Sequence, residues 1–266
     1  MNPEQALTRA RGRATSTSAN RSLERGMEIL RAFRPGSAVL GNGELAERTG
    51  LPRSTVSRLT QSLVDAGFLQ YDPTLRAYRL GAPVLSLAHA MRSGSAVLQV
   101  AAPLMRELAQ RQHINVGLAM ADRDEMVYLE SIRYSRKVSL RTVVTGQRVP
   151  MEHTSLGRAY LAAAPARETK ALLEGFGKRL RANWPALEQQ IAQGIEQVRT
   201  QGWCMASWQP EVVALSTPLV FKSYAIHILN VSTATQATPA SAARLLKPHL
   251  MQLAAQIRSA VGDEAP

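Results

Sequence analysis

The stretch ELAERTGLPRSTVSRL, residues 44–59, constrains the fold more than any other part of the chain. Two short helical patterns flank Gly50-Leu51-Pro52. A glycine there permits the left-handed backbone of a tight turn, and proline is tolerated where a helix begins. Apolar residues on both sides recur at helical spacing, so each helix has a face that packs inward. This arrangement predicts a helix-turn-helix.

The second of these helices, predicted over residues 52–66, presents a polar outer face. Arginine can bond guanine and glutamine can bond adenine through two hydrogen bonds, whereas serine and threonine reach bases or phosphates. Two short predicted strands around Asp72-Pro73 would add a hairpin wing. The alternatives are a helix face that is only solvated and a winged helix that binds protein. We expect contacts to double-stranded DNA from Arg53, Ser54, Thr55, Ser57, Arg58 and Gln61 on the helix and from Arg76 and Arg79 on the wing.

Length and composition narrow the class of protein. A chain of 266 residues suits two domains, and its net charge of +12 favours a polyanionic partner, although the basic surplus is spread over both halves. The single cysteine, Cys204, excludes an internal disulfide and a cysteine-cluster zinc site. No run of about 18 apolar residues is present, and the basic N-terminus does not resemble a secretory signal. We therefore expect a cytoplasmic protein with no membrane partner.

The hydrophobic pattern divides the chain into four parts. Residues 1–19 are predicted to be a disordered basic tail, and residues 20–81 a winged helix-turn-helix domain. Residues 82–112 are predicted to form a linker helix interrupted near Ser93-Gly94, and residues 113–266 an α+β domain.

Periodicity also predicts elements within these domains. Leu23, Met27 and Leu30 predict the buried stripe of the first helix. In the α+β domain, alternation predicts strands over residues 115–122, 125–133, 137–144, 211–219 and 225–232, and helical spacing predicts helices over residues 155–164, 167–174, 184–201 and 239–261.

Several segments resemble the IclR family of transcriptional regulators. The N-terminal domain of that family is similar to RSLERGMEILRAF, LAERTGLPRSTVSRLTQSLVDAGFL and YRLG in this chain. Its C-terminal domain is similar to GQRVPMEHTSLGRAYLAA, VALSTPLV and AIHILNVS, so the resemblance covers roughly residues 20–262. The resemblance implies an N-terminal winged helix-turn-helix domain joined by a linker helix to a GAF-like α+β effector-binding domain. It also implies a homodimer or homotetramer.

The resemblance further implies an effector cavity between the strands and the helix that opens at Ser155. A buried arginine there would pair with a ligand carboxylate, and the helix N-terminus would add N–H donors. Between Trp208 and Val212 the chain lacks a glycine that relatives often carry, so we expect the loop to follow a different course. The residues implied to line the cavity are Tyr128, Arg141, Thr154, Ser155, Ala214, Asn230 and Ser232.

Five of these seven residues also have a structural interpretation. Arg141 can be a surface residue of a strand, and Ser155 can be only a helix cap. Asn230 and Ser232 can lie on a solvated sheet edge, and Tyr128 can simply fill the core.

The expected function is ligand-responsive control of transcription, with catabolic genes as targets and a small organic acid, aromatic acids included, as effector. One alternative is a DNA-binding protein without small-molecule control. Another is an enzyme acting on a small carboxylate, but the chain has no G-x-S-x-G elbow, Walker loop or dinucleotide fingerprint. Its five histidines lack metal-ligand spacing. We therefore expect no catalytic residue, no cofactor and no metal.

Overall fold

The computed structural model describes residues 21–134, 143–207, 211–235 and 238–262. The chain divides into two compact units, with the boundary between Leu87 and Ala88. The first is a winged helix-turn-helix, and the second is an α+β domain built on a six-stranded sheet, so the expected fold class is confirmed. Within the described ranges, no helix is both long enough and apolar enough to cross a membrane.

The N-terminal unit packs three helices against a small antiparallel sheet. Strands β2 and β3 form the predicted wing hairpin, paired from Leu69 with Leu80 to Asp72 with Ala77. The two-residue strand β1 was not predicted, and the strand order is β1-β3-β2. The elements are α1 (Arg21–Ala32), β1 (Leu40–Gly41), α2 (Asn42–Thr49), α3 (Arg53–Asp65), β2 (Leu69–Asp72) and β3 (Ala77–Leu80).

The turn between α2 and α3 has the predicted geometry. Gly50 adopts φ 68° and ψ 11°, the left-handed conformation that other residues avoid. Pro52 immediately precedes α3, and its carbonyl oxygen accepts the N–H of Val56 at 3.0 Å. The helix ends in a second left-handed glycine, Gly67, whose N–H bonds the Val64 carbonyl at 2.9 Å. Both ends of α3 are therefore set by the local sequence.

Helix α1 packs on a different stripe from the one predicted. Gly26, Ile29 and Ala32 are its buried residues, whereas Leu23 is 60 % and Met27 is 48 % exposed. The two stripes have the same helical spacing, but small residues let the helix backbone approach its neighbours closely. The prediction that Leu23 and Met27 belong to the core is wrong.

The second unit starts within a helix that crosses the boundary. Helix α4 (Ala82–Ser93) is followed by a break at Gly94, and helix α5 (Ala96–Gln112) begins where the Ser95 side chain accepts the Leu98 N–H at 3.2 Å. The predicted interruption near Ser93-Gly94 is confirmed.

The remaining elements are β4 (Asn115–Asp122), β5 (Glu125–Ile132), β6 (Arg148–Pro150), α6 (Ser155–Ala163), α7 (Ala166–Leu180), α8 (Trp184–Gln201), β7 (Cys204–Ala206), β8 (Val212–Leu219), β9 (His227–Ala234) and α9 (Pro239–Val261).

The large sheet is antiparallel, with strand order β6-β5-β4-β9-β8-β7, and it is covered on both faces. Leu118, Leu215 and Leu229 pack with α5 and α9 on one face. Met126 and Ile228 pack with α6, α7 and α8 on the other. Successive residues of a strand point to opposite faces, so this double burial explains why the strands are largely apolar.

The edges of this sheet differ from the sequence expectation. Of the strand expected over residues 137–144, residues 137–142 lie outside the described ranges, and Val143 and Val144 are not in a strand. The edge strands are the three-residue β6 and β7, which periodicity did not detect because an alternating pattern needs at least four residues.

Strand β5 carries one extra residue relative to β4. Ala119 lies opposite Tyr128, but the preceding residue of β4 lies opposite Glu130, which leaves Leu129 between them. Beyond such a bulge, the side chains of the strand exchange faces of the sheet. Ser131 consequently turns to the face that carries Tyr128.

Candidate functional site

The outer face of α3 carries the polar side chains that the sequence predicted. Val56 and Leu59 are buried against the core, and Leu63 is half-buried. The opposite side is available for a large partner such as DNA. Exposed there are Arg53, Ser54, Ser57, Arg58 and Gln61, with Thr55 half-buried, and Arg76 and Arg79 are exposed on the wing.

Two of these side chains have partners within the unit. Gln61 donates from Nε2 to the Asp65 carboxylate at 2.8 Å, and Arg79 pairs with the Asp72 carboxylate at 2.9 Å. Asp72 also accepts two backbone N–H groups of the wing turn at 3.0 Å each. A phosphate contact by Arg79 would therefore replace an existing ion pair.

A small cavity lies in the C-terminal unit beside the N-terminus of α6. Its volume is about 30 Å³, which accommodates a water molecule, whereas typical ligand pockets are about tenfold larger or more. The structure brings six of the seven implied effector residues together here, and the seventh, Arg141, lies outside the described residues. The six are Tyr128, Thr154, Ser155, Ala214, Asn230 and Ser232.

The first turn of α6 forms one wall of the cavity. Thr154 is the helix cap, since its Oγ1 accepts the Gly157 N–H at 3.2 Å. The same hydroxyl donates to the Pro150 carbonyl at 2.9 Å. Ser155 is thus not the cap, and its Oγ lies 2.8 Å from that of the buried Ser216.

Strand β9 contributes two buried polar residues. Asn230 and Ser232 are each 3 % exposed on a central strand, so the interpretation as a solvated sheet edge is wrong. Asn230 lies opposite Gly117, where a Cβ would stand 2.4 Å from both the Asn230 Oδ1 and the Tyr128 Cε1. Glycine therefore makes room for both side chains. The Asn230 Oδ1 is buried and has no hydrogen-bond partner among the described residues.

Arg133, which sequence reasoning missed, contributes a positive charge to the described lining of the cavity. Its Nε donates to Ser131 Oγ at 2.7 Å and to the Val143 carbonyl at 3.1 Å. Its guanidinium carbon lies 5.2 Å from the centre of the Tyr128 ring. The Nη2 nitrogen is buried and lacks a partner among the described residues. No acidic side chain is among the described residues that line the cavity.

The bulge explains why the pattern did not indicate Arg133. Strict alternation from Tyr128 would place residues 130 and 132 on the cavity face and Arg133 on the other. Because Leu129 is extra, Ser131 lies on the face that carries Tyr128, and Arg133 lines the cavity instead. The only sequence signal was a basic residue directly after an apolar strand.

Arg92 of α4 holds this bulge in place. It donates to the Leu129 carbonyl and pairs with the Glu130 carboxylate at 2.8 Å. Burial alone would raise the pKa of Glu130, but the bonds from Arg92 and the Ser131 N–H, together with the charge of Arg92, lower that pKa below its ordinary value of 4.5. Glu130 is therefore ionised at neutral pH and pairs with the charged Arg92 next to the bulge.

Comparison with known proteins places both units in one family. The IclR helix-turn-helix domain matches residues 22–73, and the C-terminal domain of bacterial IclR transcriptional regulators matches residues 89–262. The chain belongs to the IclR family. It is therefore a transcriptional regulator with a DNA-binding helix-turn-helix domain. Within the described ranges, no cluster of histidine, cysteine, aspartate and glutamate could hold a metal ion.

Individual relatives extend over most of the chain. The HTH-type transcriptional regulator TsaQ1/TsaQ2 of Comamonas testosteroni is 35 % identical over 196 residues, which are 72 % of this chain and 69 % of that protein. An IclR-family crystal structure from Brucella abortus matches with a TM-score of 0.81 and 34 % identity, covering 94 % of this chain and 97 % of that one. An IclR homolog from Microbacterium hydrocarbonoxydans, complexed with 4-hydroxybenzoate, shares the fold with a TM-score of 0.65 at 23 % identity, covering 91 % and 99 %.

Proposed function

We propose that this IclR-family protein is a ligand-responsive regulator of catabolic genes whose effector is a small organic carboxylate, aromatic acids included. The observation that carries the proposal is the cavity beside α6, where a cationic Arg133 and buried polar side chains converge and no acidic side chain is found among the described lining residues. An anion entering it would meet a guanidinium and the positive end of the α6 helix dipole. The 4-hydroxybenzoate bound by the Microbacterium homolog supports an acid as the ligand class.

A regulator without small-molecule control is the second candidate, and the size of the cavity favours it. A volume of about 30 Å³ leaves no space for an aromatic acid unless side chains move. An enzymatic role is not proposed, because TsaQ1/TsaQ2 and the other curated relatives compared are named as regulators. A protein that binds the bacterial chromosome would act in the cytoplasm.

For operator recognition, we propose that the exposed side chains of α3 contact base edges and that Arg76 and Arg79 contact the DNA backbone. The proposal rests on their common exposure on the helix and wing. Two recognition helices of a dimer would meet major grooves about 34 Å apart.

Self-association as a homodimer or homotetramer is proposed from the surface of α4. This helix has no buried residue, although it carries Leu85, Leu87 and Met91, all of which are exposed. Leu87 and Met91 are four residues apart and therefore share one face of this helix, and adjacent exposed apolar side chains mark association surfaces. Light scattering should give a dimeric or tetrameric mass, and Leu87→Glu should lower it; a monomeric wild-type chain would contradict the proposal.

The test of the function is fluorescence anisotropy with the DNA upstream of the protein's own gene. Salt is held constant because phosphate contacts make affinity strongly salt-dependent. Aromatic and aliphatic carboxylates are added in turn. Selective DNA binding that shifts with one acid supports ligand control, whereas selective binding that no acid alters favours the second candidate.

A further inference from the structure

We infer that the groove between α7 and α8 is a further ligand site, which binds an elongated zwitterion such as a short peptide. The ammonium group of the ligand lies beside Trp184 and its carboxylate beside Arg199. The groove has a volume of about 760 Å³, which is within the range of small-molecule pockets. It shares no described lining residue with the cavity beside α6, so this site is separate from the one in the proposed function.

The two helices form the walls of the groove as a helical hairpin. A short connection, Arg181–Asn183, joins α7 to α8. A Cβ on Gly177 would lie 3.2 Å from the Trp184 Nε1, so the end of α7 and the start of α8 meet at one end, the tryptophan end. Ala166 and Arg199 line the groove at its other end, the arginine end. With a rise of about 1.5 Å per residue, the helix from Ala166 to Gly177 makes the groove about 16 Å long.

Charge is distributed unevenly along the groove. The charged lining residues nearer the arginine end are Lys170 and Arg199, which are both cationic. Towards the tryptophan end, the carboxylates of Glu174 and Glu188 outnumber the ammonium group of Lys178. The groove therefore complements a molecule that carries an anion at one end and a cation at the other.

The charges that line the groove are not neutralised by described residues. Lys170, Glu174 and Lys178 are spaced four residues apart on α7, a spacing at which opposite charges often pair, yet none forms an ion pair with a described residue. The same spacing gives an ion pair on α5, between Glu107 and Arg111 at 3.3 Å. The two charged lining residues of α8 also have no ion pair among the described residues. All five charges are therefore available to a ligand.

Trp184 provides an aromatic surface at the negative end of the groove. Its indole ring is half-buried and lies 6.3 Å from the Phe176 ring, measured between ring centres. A cation is attracted to the face of an aromatic ring, and the nearby carboxylates add to that attraction. Between the two ends, the half-buried Leu173 supplies an apolar surface for the middle of the ligand.

Helix α7 is attached to the rest of the unit at both ends, so the groove is preformed. Near its start, the Thr169 hydroxyl donates to the Leu161 carbonyl at 3.0 Å. Near its end, Arg179 pairs with the buried carboxylate of Glu152 at 2.8 Å. A preformed groove loses little conformational freedom when a ligand binds.

The positions of the charges set the length of the ligand. Lys170 lies about 10 Å before Gly177 along the helix axis, and the start of α7 lies about 16 Å before it. An extended peptide spans about 3.3–3.6 Å per residue, so three or four residues place the terminal ammonium and carboxylate groups at a similar separation. Tetra-alanine, whose side chains are only methyl groups, is therefore the probe.

The experiment is calorimetric titration of the full-length protein with tetra-alanine, its N-acetyl form, its C-terminal amide and dialanine. We expect tetra-alanine to bind about tenfold more tightly than the acetylated or the amidated form, because each of these lacks one terminal charge. Dialanine should also bind about tenfold less tightly, since it cannot reach both ends of the groove.

Substitutions assign each terminal charge to one end of the groove. Glu188→Gln should weaken tetra-alanine binding about threefold and leave the affinity for the acetylated form unchanged, because acetylation already removes the ammonium group. Arg199→Met should likewise weaken tetra-alanine binding and leave the affinity for the amidated form unchanged. Glu196→Gln and Arg106→Met are the matched controls, since they remove exposed charges from α8 and α5 outside the groove and should change no affinity.

Three outcomes would overturn the inference. The first is tetra-alanine that does not bind at millimolar concentrations. The second is equal affinity for tetra-alanine and both blocked forms, or Glu188→Gln and Arg199→Met proteins that bind tetra-alanine as tightly as wild type. The third is a Glu188→Lys protein with a smaller mass by light scattering and no peptide binding by wild type, which would identify the groove as an interface between copies of this chain.

Discussion

Gly157 makes the closest backbone approach at the start of α6, and replacing it with alanine tests how that helix is placed. A Cβ at this position would lie 1.9 Å from the Met151 carbonyl oxygen and 2.4 Å from its carbonyl carbon. Both neighbours are backbone atoms, which cannot rotate aside as a flexible side chain could. The helix and the turn before it would have to separate, and the cavity wall would move with them.

The expected cost follows from two opposing effects. Overpacking costs up to about 3 kcal/mol, and the helical preference of alanine over glycine offsets about 1 kcal/mol of it. Gly157→Ala should therefore destabilise the C-terminal unit by about 2 kcal/mol, or ~4–8 °C in Tm. Gly175→Ala is the matched control, since this exposed glycine of α7 has no heavy atom within 4 Å of an added Cβ. It should stabilise the unit by about 1 kcal/mol.

The assay can observe this unit alone. All three tryptophans, Trp184, Trp203 and Trp208, follow the unit boundary, so their fluorescence during urea unfolding reports the C-terminal unit. If Gly157→Ala proves as stable as Gly175→Ala, the close approach of α6 to Met151 is refuted.

Three further predictions concern DNA binding, the accessibility of the cysteine and one ion pair. Arg58→Ala should weaken operator binding by about 1–3 kcal/mol in anisotropy titrations. Arg106→Ala is the control, because it removes the same charge from an exposed site in the other unit and should have little effect. Equal losses in the two variants would contradict a base contact by Arg58. Burial raises the pKa of the Cys204 thiol to about 12. A thiol reagent at pH 8 should therefore label this sole cysteine only after the protein unfolds. Rapid labelling of the native protein would show that the thiol is accessible. Arg92→Gln should lower the free energy of unfolding at pH 7. Because the pKa of Glu130 is lowered in the folded state, the ion pair stabilises the protein at pH values above 4.5, the ordinary pKa of this carboxyl group. The difference in free energy of unfolding between Arg92→Gln and wild type should therefore shrink as the pH falls below 4.5. A difference that stays constant in urea titrations across that range would argue against the ion pair.

Local sequence determined much of the N-terminal unit in advance. Gly50 and Gly67 adopt left-handed conformations that glycine favours locally. Buried apolar and exposed polar residues of α3 lie on opposite sides of the helix at helical spacing. Both the turns and the polar face could therefore be predicted without tertiary information. The buried stripe of α1 could not be predicted in this way. Two adjacent stripes of this helix have the same spacing, and only packing against α2 and α3 decides which of them is buried.

The cavity was predictable only where regular alternation holds. Asn230, Ser232 and Ala214 lie on uninterrupted antiparallel strands, so their common face could be anticipated from the family resemblance. Arg133 lies beyond a bulge whose presence depends on the partner strand and on Arg92, contacts that are distant in sequence. A single-sequence pattern contains no signal for such an insertion.

The extra residue in β5 decides which charged side chain at the end of this strand faces the cavity. In the observed register, Ser131 lies on the face that carries Tyr128, and Arg133, directly after β5, contributes a positive charge to the described lining of the cavity. In an unbulged register, Glu130 would take the inward position, and β5 would contribute a negative charge to the cavity. The charge that β5 and the residue after it turn towards the cavity is thus decided by the strand register as well as by composition, and a single-residue insertion or deletion could reverse that charge without any substitution.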